Sequence, residues 1–355
     1  MAVSSRPDNS TPAIGVGFVG AGAVTQAVHL PSLARFTDTF TVTHVTDVDA
    51  DAAAAVASRV GARSSTSLAD LLADPAVDVV AICSPHEFHA AHVIAACRAG
   101  KKAVLCEKPF AVSAGEAAEI AAASAESGVP IIVGAMHTFD PGWLAAEELW
   151  GDLTESAHTL RSRIVLPPNA RFEDFATEAG ARPSRPAPDY ADPAVAAALL
   201  EGGILGLAIH DLPLVRRFVP HFDDLEVLRA EVVKPFGYVV LLRAGGRTVE
   251  LTAAMTATWK PDWTFEAIGT DAALTVTFTP SFVQAGSAVA ELTTAGRTVT
   301  AGPFGHNGYE GEWRRIAGIV AGRERAPATA TLIDDLSFAL TIVDGTRTCV
   351  LGAVA

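Results

Sequence analysis

The sequence predicts a doubly wound, parallel α/β domain followed by an α+β domain with an open, mostly antiparallel sheet. Apolar strands alternate with helical stretches over residues 14–136, and the first strand runs directly into a glycine turn. Between residues 225 and 300, by contrast, short strands follow one another with only turns between them. We therefore place the two domains at 14–136 and 137–355, behind a tail at 1–13 that is predicted to be disordered.

The composition indicates a globular chain. Half of the 355 residues are hydrophobic and 19% are charged, which allows a sizeable core. The formal net charge of −14 argues against nucleic acid or an anionic membrane surface as partner, because both require basic patches. No signal-peptide core and no apolar run of the ~18 residues that span a bilayer is evident, so a cytoplasmic location is expected. Cys-x-x-Cys pairs and metal-ligand spacings with histidine are both missing, so we expect no metal site and reduced thiols at Cys83, Cys97, Cys106 and Cys349.

The first strand, 14–19, leads into a glycine turn and then into a helix that is predicted to end near Phe36. Gly20 permits a tight turn, and Gly22 lets a diphosphate approach the backbone at the helix N-terminus. Thr25 stands where a third glycine is usual, so the fingerprint of a Rossmann dinucleotide site is imperfect. The predicted cofactor contacts in this turn are Gly20, Gly22, Ala23 and Val24.

The second strand, 40–46, ends in Asp47, at the spacing expected for a carboxylate on the adenosine ribose. A carboxylate there accepts hydrogen bonds from the ribose hydroxyls and repels a 2′-phosphate, so the sequence favours NAD over NADP. The alternative is that Asp47 caps the next helix, which Asp49 or Asp51 could do as well.

The third strand, 77–83, is almost continuously apolar, as buried parallel strands are. It ends at Ser84, Pro85 and His86, which we expect to line the cofactor cleft. A helix follows from about residue 87 to 98, and the two histidines within it, His89 and His92, are expected to be helix-surface or packing residues. His29, near the end of the first helix, is expected to pack or to cap that helix.

The stretch 100–110 carries the most informative residues. A short buried strand, 103–106, is stopped by Pro109, which lacks an N–H and cannot continue a central strand. Glu107 and Lys108 therefore stand at the carboxyl end of a parallel strand, where open α/β sheets bind ligands. The alternative is a solvated ion pair at a surface strand end. A helix over about 114–127 and a strand over 130–134 follow, and Met136 is the last strand-end residue predicted to contact the cofactor.

In the second half, a short helix is expected near 142–149 and a strand over 156–166. The stretch 169–192 is rich in Pro, Ala, Arg and Asp and predicts a long surface loop, of the kind that often forms a lid or binding loop. Two helices, at about 309–321 and 332–346, are expected to close the chain. His210 lies in an apolar helix that is predicted to open at Gly202 and Gly203, where a packed core histidine is the alternative to a catalytic one.

Four groups of residues resemble the glucose–fructose oxidoreductase / inositol dehydrogenase (Gfo/Idh/MocA) family. They are His29-Leu30-Pro31, Ser84-Pro85-His86, Cys106-Glu107-Lys108-Pro109, and Gly202-Gly203 with His210. The resemblance implies a Rossmann domain, an open sheet that often makes oligomer contacts, and oxidation or reduction of sugars, inositols and similar polyols with NAD(H) or NADP(H). It also implies that Lys108 is the active-site lysine and His210 the acid/base.

The chemistry agrees with these roles. Oxidising a secondary alcohol requires a base for the hydroxyl proton, and an imidazole near neutrality suits that task. An ammonium can hydrogen-bond the same oxygen and stabilise the charge that develops there. Lys108 and Glu107 would both lie beside the nicotinamide.

The chain departs from the family pattern near His210. Gly206 stands where many sugar and inositol dehydrogenases carry an aspartate, and Asp211 should point about 100° away from His210 on a helix. Either the substrate differs, or Asp189 or Tyr190 substitutes, or the protein is a weak or non-classical dehydrogenase. Substrate contacts are predicted at His137, Tyr190 and Asp211.

Three functions follow from the resemblance. The first is an NAD(P)-dependent oxidoreductase acting on a sugar, inositol or related polyol. The second is an enzyme that retains NAD and uses transient oxidation in glycoside cleavage or elimination. The third is a non-catalytic dinucleotide-binding regulatory protein. A homo-oligomer, dimer or tetramer, is expected because the second sheet is open.

Overall fold

The computed structural model describes residues 12–168, 170–177, 187–257 and 260–352, which form two sheets. The first sheet is parallel and has six strands in the order β3-β2-β1-β4-β5-β6. Its strands are β1 (Ile14–Val19), β2 (Phe40–Thr46), β3 (Arg63–Ser65), β4 (Val79–Ile82), β5 (Ala103–Glu107) and β6 (Ile131–Gly134). The reversal of strand order beside β1 confirms the predicted doubly wound α/β domain.

Helices connect the strands of this domain; those after β1, β2, β4 and β5 were predicted, whereas β3 and α3 were not. A π-helical turn (Thr25–His29) leads into α1 (Leu30–Leu33), and the others are α2 (Ala50–Val60), α3 (Leu68–Ala73), α4 (His89–Arg98) and α5 (Ala114–Ser127). All four residues of β4 and all five of β5 are buried, because helices cover both faces of the sheet.

The second sheet has eight strands in the order β14-β13-β12-β11-β7-β10-β9-β8. They are β7 (Thr159–Leu166), β8 (Glu226–Val232), β9 (Gly237–Ala244), β10 (Arg247–Met255), β11 (Asp262–Ile268), β12 (Ala272–Phe278), β13 (Val289–Thr294) and β14 (Arg297–Ala301). Only β7 and β10 run parallel to each other; the remaining neighbours among the described strands are antiparallel. The predicted open, mostly antiparallel sheet is confirmed.

The second half of the chain contributes the remaining described helices. They are α6 (Pro141–Leu149), α7 (Leu153–Ser156), α8 (Ala170–Ala176), α9 (Pro193–Gly206), α10 (Leu212–Phe218), α11 (Gly308–Val320) and α12 (Thr329–Gly352). Of these, α6, α9 and α12 pack on one face of the second sheet. Trp143 of α6, Leu200 of α9 and Phe338 of α12 form a core with Trp263 and Phe265 of β11. One strand face is thereby buried, while the other carries the polar residues of the alternating pattern.

Helix α11 belongs to the core of the first sheet, although it lies in the second half of the sequence. Its Trp313 and Ile316 pack against Val16 and Phe18 of β1. The two halves of the chain therefore share this core, and the predicted domain boundary at residue 136 stays a prediction.

Three expectations about the second half need correction. The stretch 169–192 was expected to be a long loop, but part of it is helical, in α8. Residues 178–186 of this stretch, and residues 1–11 of the predicted tail, lie outside the described part of the chain. Gly202 and Gly203 lie inside α9 and do not open it, and His210 lies in a 3-10 turn, Ala208–His210, between α9 and α10.

The expectation that no apolar run is long enough to span a bilayer was wrong. Within the described residues, the stretch Pro193–His210 is long and apolar enough to cross a membrane. Core helices of soluble proteins pass the same test, and here Leu200 and Ile204 of this stretch are buried while α9 packs against α12 and β8.

Candidate active site

The glycine turn after β1 is shaped by a close approach of two strand ends. Gly20 has φ of +103°, and a Cβ there would lie 2.6 Å from the carbonyl oxygen of Cys83, so only glycine fits. Thr25, in place of a third glycine, donates a hydrogen bond from Oγ1 to the carbonyl of Gly20 at 2.7 Å. Gly22 is exposed, and no described atom lies within 4 Å of where its Cβ would be. The turn is thus closed at one side and open at the other, as a phosphate cradle needs.

Asp47 connects the end of β2 to this turn. One of its carboxylate oxygens accepts the Ala21 N–H at 2.7 Å, and the other accepts the Asp49 N–H at 3.0 Å. The cap of α2 is Asp49, whose carboxylate accepts from the N–H groups of Asp51 and Ala52. Asp49, and not Asp47, therefore caps α2. The ribose contact of Asp47 stays a prediction.

His89 joins the ends of β4 and β5. Its Nε2 lies 2.7 Å from the carbonyl oxygen of Ser84, and its Nδ1 lies 2.7 Å from that of Pro109. The Ser84 hydroxyl in turn lies 2.9 Å from Nδ1 of His92. The prediction of a surface or simple packing role missed these bonds, since nothing in the sequence indicates which carbonyls a buried imidazole reaches. His86, the residue favoured from sequence, is exposed at the start of a 3-10 turn.

Glu107 is buried and pairs with His29 across the sheet–helix interface. His29 Nε2 lies 2.9 Å from Glu107 Oε1, and the second oxygen of Glu107 accepts the Lys108 N–H at 3.3 Å. Burial alone lowers the pKa of His29, but Cys83 and Glu107 outweigh it and hold that pKa well above its ordinary value. Burial alone raises the pKa of Glu107, but the hydrogen bond and charge of His29, and then the charge of Lys108, keep it lowered. The alternative of a solvated ion pair is therefore wrong for Glu107.

Lys108 extends from the end of β5 to the end of α9. Its Nζ donates to the carbonyl oxygen of Gly206 at 2.8 Å. Burial lowers the pKa of Lys108, and the charge of Glu107 opposes that shift. A helix C-terminus favours a cation, so the Gly206 carbonyl both orients and stabilises the ammonium.

His210 faces the same space as Lys108. It is 6% exposed, and its Nδ1 has no hydrogen-bond partner among the described residues. Burial, followed by the nearby Lys108 and His137, holds the pKa of His210 well below its ordinary value. The imidazole is therefore neutral near pH 7 and able to accept a proton.

Lys108 and His210 line one pocket of about 160 Å³, into which residues of the glycine-turn helix also project. Its full lining is Val24, Val28, Glu107, Lys108, Leu166, Phe172, Glu173, Gly206, Leu207, His210, Pro280, Ser281, Phe282 and Tyr309. A larger groove of about 770 Å³ lies along α6, α10, α11 and α12; Lys108 borders it but His210 does not. The smaller pocket is therefore the candidate active site.

Two of the predicted substrate contacts lie in the protein interior. Asp211 is fully buried, and its carboxylate accepts hydrogen bonds from Ser162 Oγ at 2.6 Å and Trp263 Nε1 at 2.9 Å. His137 Nδ1 lies 2.7 Å from the other oxygen, and its ring stacks on Phe278 at 3.7 Å. In this arrangement neither side chain reaches the pocket, and both instead support the 3-10 turn that carries His210.

The remaining predicted contacts are also away from the pocket. Tyr190 donates its hydroxyl to the carbonyl of Pro235 at 2.7 Å, under the ammonium of Lys234, and Asp189 accepts the Ala191 N–H. Neither borders the pocket, so neither substitutes there for an aspartate at position 206. Met136 is 2% exposed and packs in the core. The described part of the chain contains no group of three or more His, Cys, Asp or Glu that could hold a metal ion.

Comparison with known proteins matches residues 14–135 to the oxidoreductase family with an NAD-binding Rossmann fold. Inositol 2-dehydrogenase 3 of Saccharopolyspora erythraea is 41% identical over 135 residues, which are 38% of this chain and 39% of that protein. 1,5-Anhydro-D-fructose reductase of Ensifer adhaerens is 40% identical over 92 residues, 26% of either chain. The chain thus spans about two fifths or less of the length of these curated relatives.

Two solved structures resemble the whole chain in fold. UDP-N-acetylglucosamine 3-dehydrogenase GnnA from Acidithiobacillus ferrooxidans has a TM-score of 0.73 at 18% identity, covering 96% of this chain and 100% of that one. KijD10, a 3-ketoreductase from Actinomadura kijaniata in complex with NADP and TDP-benzene, has a TM-score of 0.69 at 20% identity, covering 95% and 98%. At these identities the likeness shows the fold alone.

Proposed function

We propose that the chain is a member of the Gfo/Idh/MocA oxidoreductase family and that it transfers hydride between a nicotinamide dinucleotide and a secondary alcohol or ketone of a sugar, inositol or related polyol. One observation carries the proposal. Lys108 and His210 line a single pocket together with Val24, which directly follows the glycine turn. A dinucleotide-binding turn and an acid/base pair therefore meet at one place.

His210 is the acid/base in this proposal. Its imidazole is neutral near pH 7 because burial, followed by the nearby Lys108 and His137, lowers its pKa. It can thus take the hydroxyl proton of an alcohol, and return it when a ketone is reduced. The buried Asp211 network holds the adjacent backbone and so fixes where the ring stands.

Lys108 is the polarising residue. Its ammonium, oriented by the carbonyl of Gly206 at 2.8 Å, would donate a hydrogen bond to the oxygen on the reacting carbon. Glu107 acts through Lys108, because its carboxylate accepts the Lys108 N–H and favours the charged lysine. His89 fixes the same strand end by holding the carbonyl of Pro109.

NAD is the proposed cofactor, with NADP the less favoured alternative. The dinucleotide would accept or supply the hydride. The residues that fit it are Gly20, Gly22, Ala23, Val24, Asp47, Ser84, Pro85, His86 and Glu107, of which the exposed Gly22 offers an uncovered backbone. The carboxylate of Asp47 at the end of β2 supports NAD, because it would repel a 2′-phosphate.

A cytoplasmic homo-oligomer, dimer or tetramer, is proposed as the working form. The uncovered face of the second sheet carries Arg161 paired with Glu250 at 2.9 Å and Arg163 paired with Asp262 at 2.6 Å. Mixed charges of this kind suit a self-complementary contact. Light scattering at micromolar concentration tests it, and a mass near 36.7 kDa contradicts it.

The function is tested by calorimetric titration of cofactor-free protein with NAD and with NADP. We expect NAD to bind more tightly, Asp47→Ala to abolish that preference, and the exposed Asp38→Ala, as a matched control, to keep it. Lys108→Ala should retain dinucleotide binding and lose NAD reduction by sugars and inositols. Failure of both nucleotides to bind contradicts the proposal. Binding without turnover by the wild type would support the regulatory alternative, and NAD that stays bound through purification would support transient oxidation.

A further inference from the structure

Five apolar side chains of the second half line the active-site pocket, beside the polar side chains of Glu173, His210, Ser281 and Tyr309. Val24 and Val28 belong to the helix after the glycine turn, and we assign them to cofactor contact. The apolar residues that remain come from β7, α8, the turn after α9 and the loop after β12, namely Leu166, Phe172, Leu207, Pro280 and Phe282. The rings of Phe172 and Phe282 stack with centroids 5.8 Å apart and planes 19° apart, so they form one continuous aromatic wall.

The polar side chains of the pocket are Glu107, Lys108, Glu173, His210, Ser281 and Tyr309. Glu107 is engaged by His29. Lys108 and His210 are the two that the proposed function places at the oxygen of the reacting carbon.

This distribution matters because every hydroxyl that leaves water needs a partner inside the pocket. A ring with hydroxyls on all sides would turn several of them toward phenylalanine and leucine. A ring that presents CH or CH₃ groups there would bury apolar area against the aromatic wall instead.

We propose that the substrate carries an apolar face beside its reacting secondary alcohol or ketone, as a deoxy sugar or a sparsely hydroxylated ring does. This inference rests on the proposed oxidoreductase function and narrows its substrate class. The hydroxyl or carbonyl contacts Lys108 and His210, while the apolar face contacts Phe172 and Phe282.

Two matched pairs of compounds test the substrate class: 6-deoxy-D-glucose against D-glucose, and cyclohexane-1,2-diol against myo-inositol. For each compound we would measure kcat/KM, and also its affinity for the enzyme–dinucleotide complex by calorimetry. The hydroxyl-poor member of each pair is expected to be favoured by about tenfold or more, the discrimination that an apolar pocket gives for a small group. Equal values, the reverse order, or no binding by any of the four compounds overturns the inference. Dinucleotide binding, measured separately, shows whether the proposed function fails as well.

Two variants of Phe282 test whether the aromatic wall causes the preference for the hydroxyl-poor compounds. Phe282→Asn should reduce the preference by about tenfold, and Phe282→Tyr, which keeps the shape and adds a hydroxyl, should reduce it in the same direction even if the first variant folds poorly. Phe304→Asn is the control, because Phe304 is 41% exposed and does not line the pocket. An unchanged preference in folded Phe282→Tyr contradicts the assignment.

Discussion

His29 Nε2 and Glu107 Oε1 lie 2.9 Å apart in the interior, and this contact joins the helix after the glycine turn to the strand end that carries Lys108. The two residues are 78 positions apart in the sequence. His29 is fully buried, and its ring packs against those of Phe18 and Trp313. A charged pair this far from water depends on both partners, because either charge alone would be left unpaired in an apolar setting.

Replacing His29 by leucine should lower the free energy of unfolding by about 3 kcal/mol, since Glu107 would keep a buried charge without its partner. The double variant His29→Leu/Glu107→Leu should lose clearly less, because both charges are gone. Urea denaturation at pH 6 measures both. The exposed His158→Leu is the control and should stay within about 0.5 kcal/mol of wild type. If the single and double variants lose the same free energy of unfolding, the unpaired charge of Glu107 is not the cause of the loss.

The same pair predicts a pH window for stability. The pKa of His29 is raised, so its contribution is complete below the ordinary value of 6.5 and is lost as the pH rises through the higher folded value. The pKa of Glu107 is lowered, so its contribution is complete above 4.5 and is lost as the pH falls through the lower folded value. The stability difference between wild type and the double leucine variant should therefore be greatest between about pH 4.5 and 6.5. A difference that does not change from pH 4 to pH 9 contradicts this.

Glu312 of α11 predicts a stabilising substitution. It is fully buried, and neither carboxylate oxygen has a hydrogen-bond partner among the described residues. Burial, and then the charge of Glu107, raise the pKa of Glu312 well above its ordinary value, so the folded protein keeps a proton that the unfolded chain releases. Its contribution to stability is therefore complete below about pH 4.5 and is lost as the pH rises toward the folded value.

Glu312→Gln, which imitates the protonated acid, should therefore melt at a higher temperature than wild type at pH 8, by several degrees, and the difference should shrink toward pH 4. Glu291→Gln, at an exposed position of β13, is the control and should shift the melting temperature by less than about 2 °C. A difference in melting temperature between Glu312→Gln and wild type that does not change from pH 4 to pH 8 contradicts the raised pKa of Glu312.

The local signals in the sequence were sufficient for five of the six strands of the first sheet and for the position of Lys108, but the short edge strand β3 was missed. Apolar runs between helical stretches, a glycine turn and a proline after Lys108 are all short-range features, and each has one physical reading. They could not show that Glu107 faces His29, or that Asp211 faces Ser162 and Trp263, since those contacts arise only when distant segments pack. The periodicity near His210 misled the helix prediction, because α9 ends at Gly206 and the apolar pattern continues through the 3-10 turn.

His210→Asn should lower kcat for alcohol oxidation by about 10²- to 10⁴-fold while leaving the affinity for dinucleotide unchanged, because the variant loses only the base. In wild type the neutral imidazole is the active form for oxidation, so activity should fall only when the pH drops through the lowered pKa of His210, below 6.5. A pH profile of kcat/KM measures that limb. The exposed His221→Asn is the control and should retain wild-type rates. An acid limb above pH 6.5 that persists in His210→Asn would assign the base to another group.

Gly206→Asp should increase the activity of the enzyme on polyols. No described atom lies within 4 Å of where a Cβ at Gly206 would be, and the φ of this residue is not in the left-handed region, so the side chain fits. The new carboxylate would stand beside the ammonium of Lys108, which already contacts the Gly206 carbonyl, and would raise the pKa of that lysine. It would also accept a hydroxyl of the substrate, so kcat/KM for myo-inositol should rise by about tenfold or more. Stability should change by no more than about 1 kcal/mol, because a carboxylate at a helix C-terminus is only mildly unfavourable.

Gly202→Asp is the matched control for this change. Gly202 lies in the same helix and is likewise clear of described atoms within 4 Å, but it does not line the pocket. The control therefore carries the same added charge and the same loss of glycine, and it should leave the kcat/KM for inositol unchanged. A similar rise in both variants would mean that net charge or helix stability is responsible, whereas no rise in a folded Gly206→Asp would mean that the ring hydroxyls of inositol do not come within reach of this position.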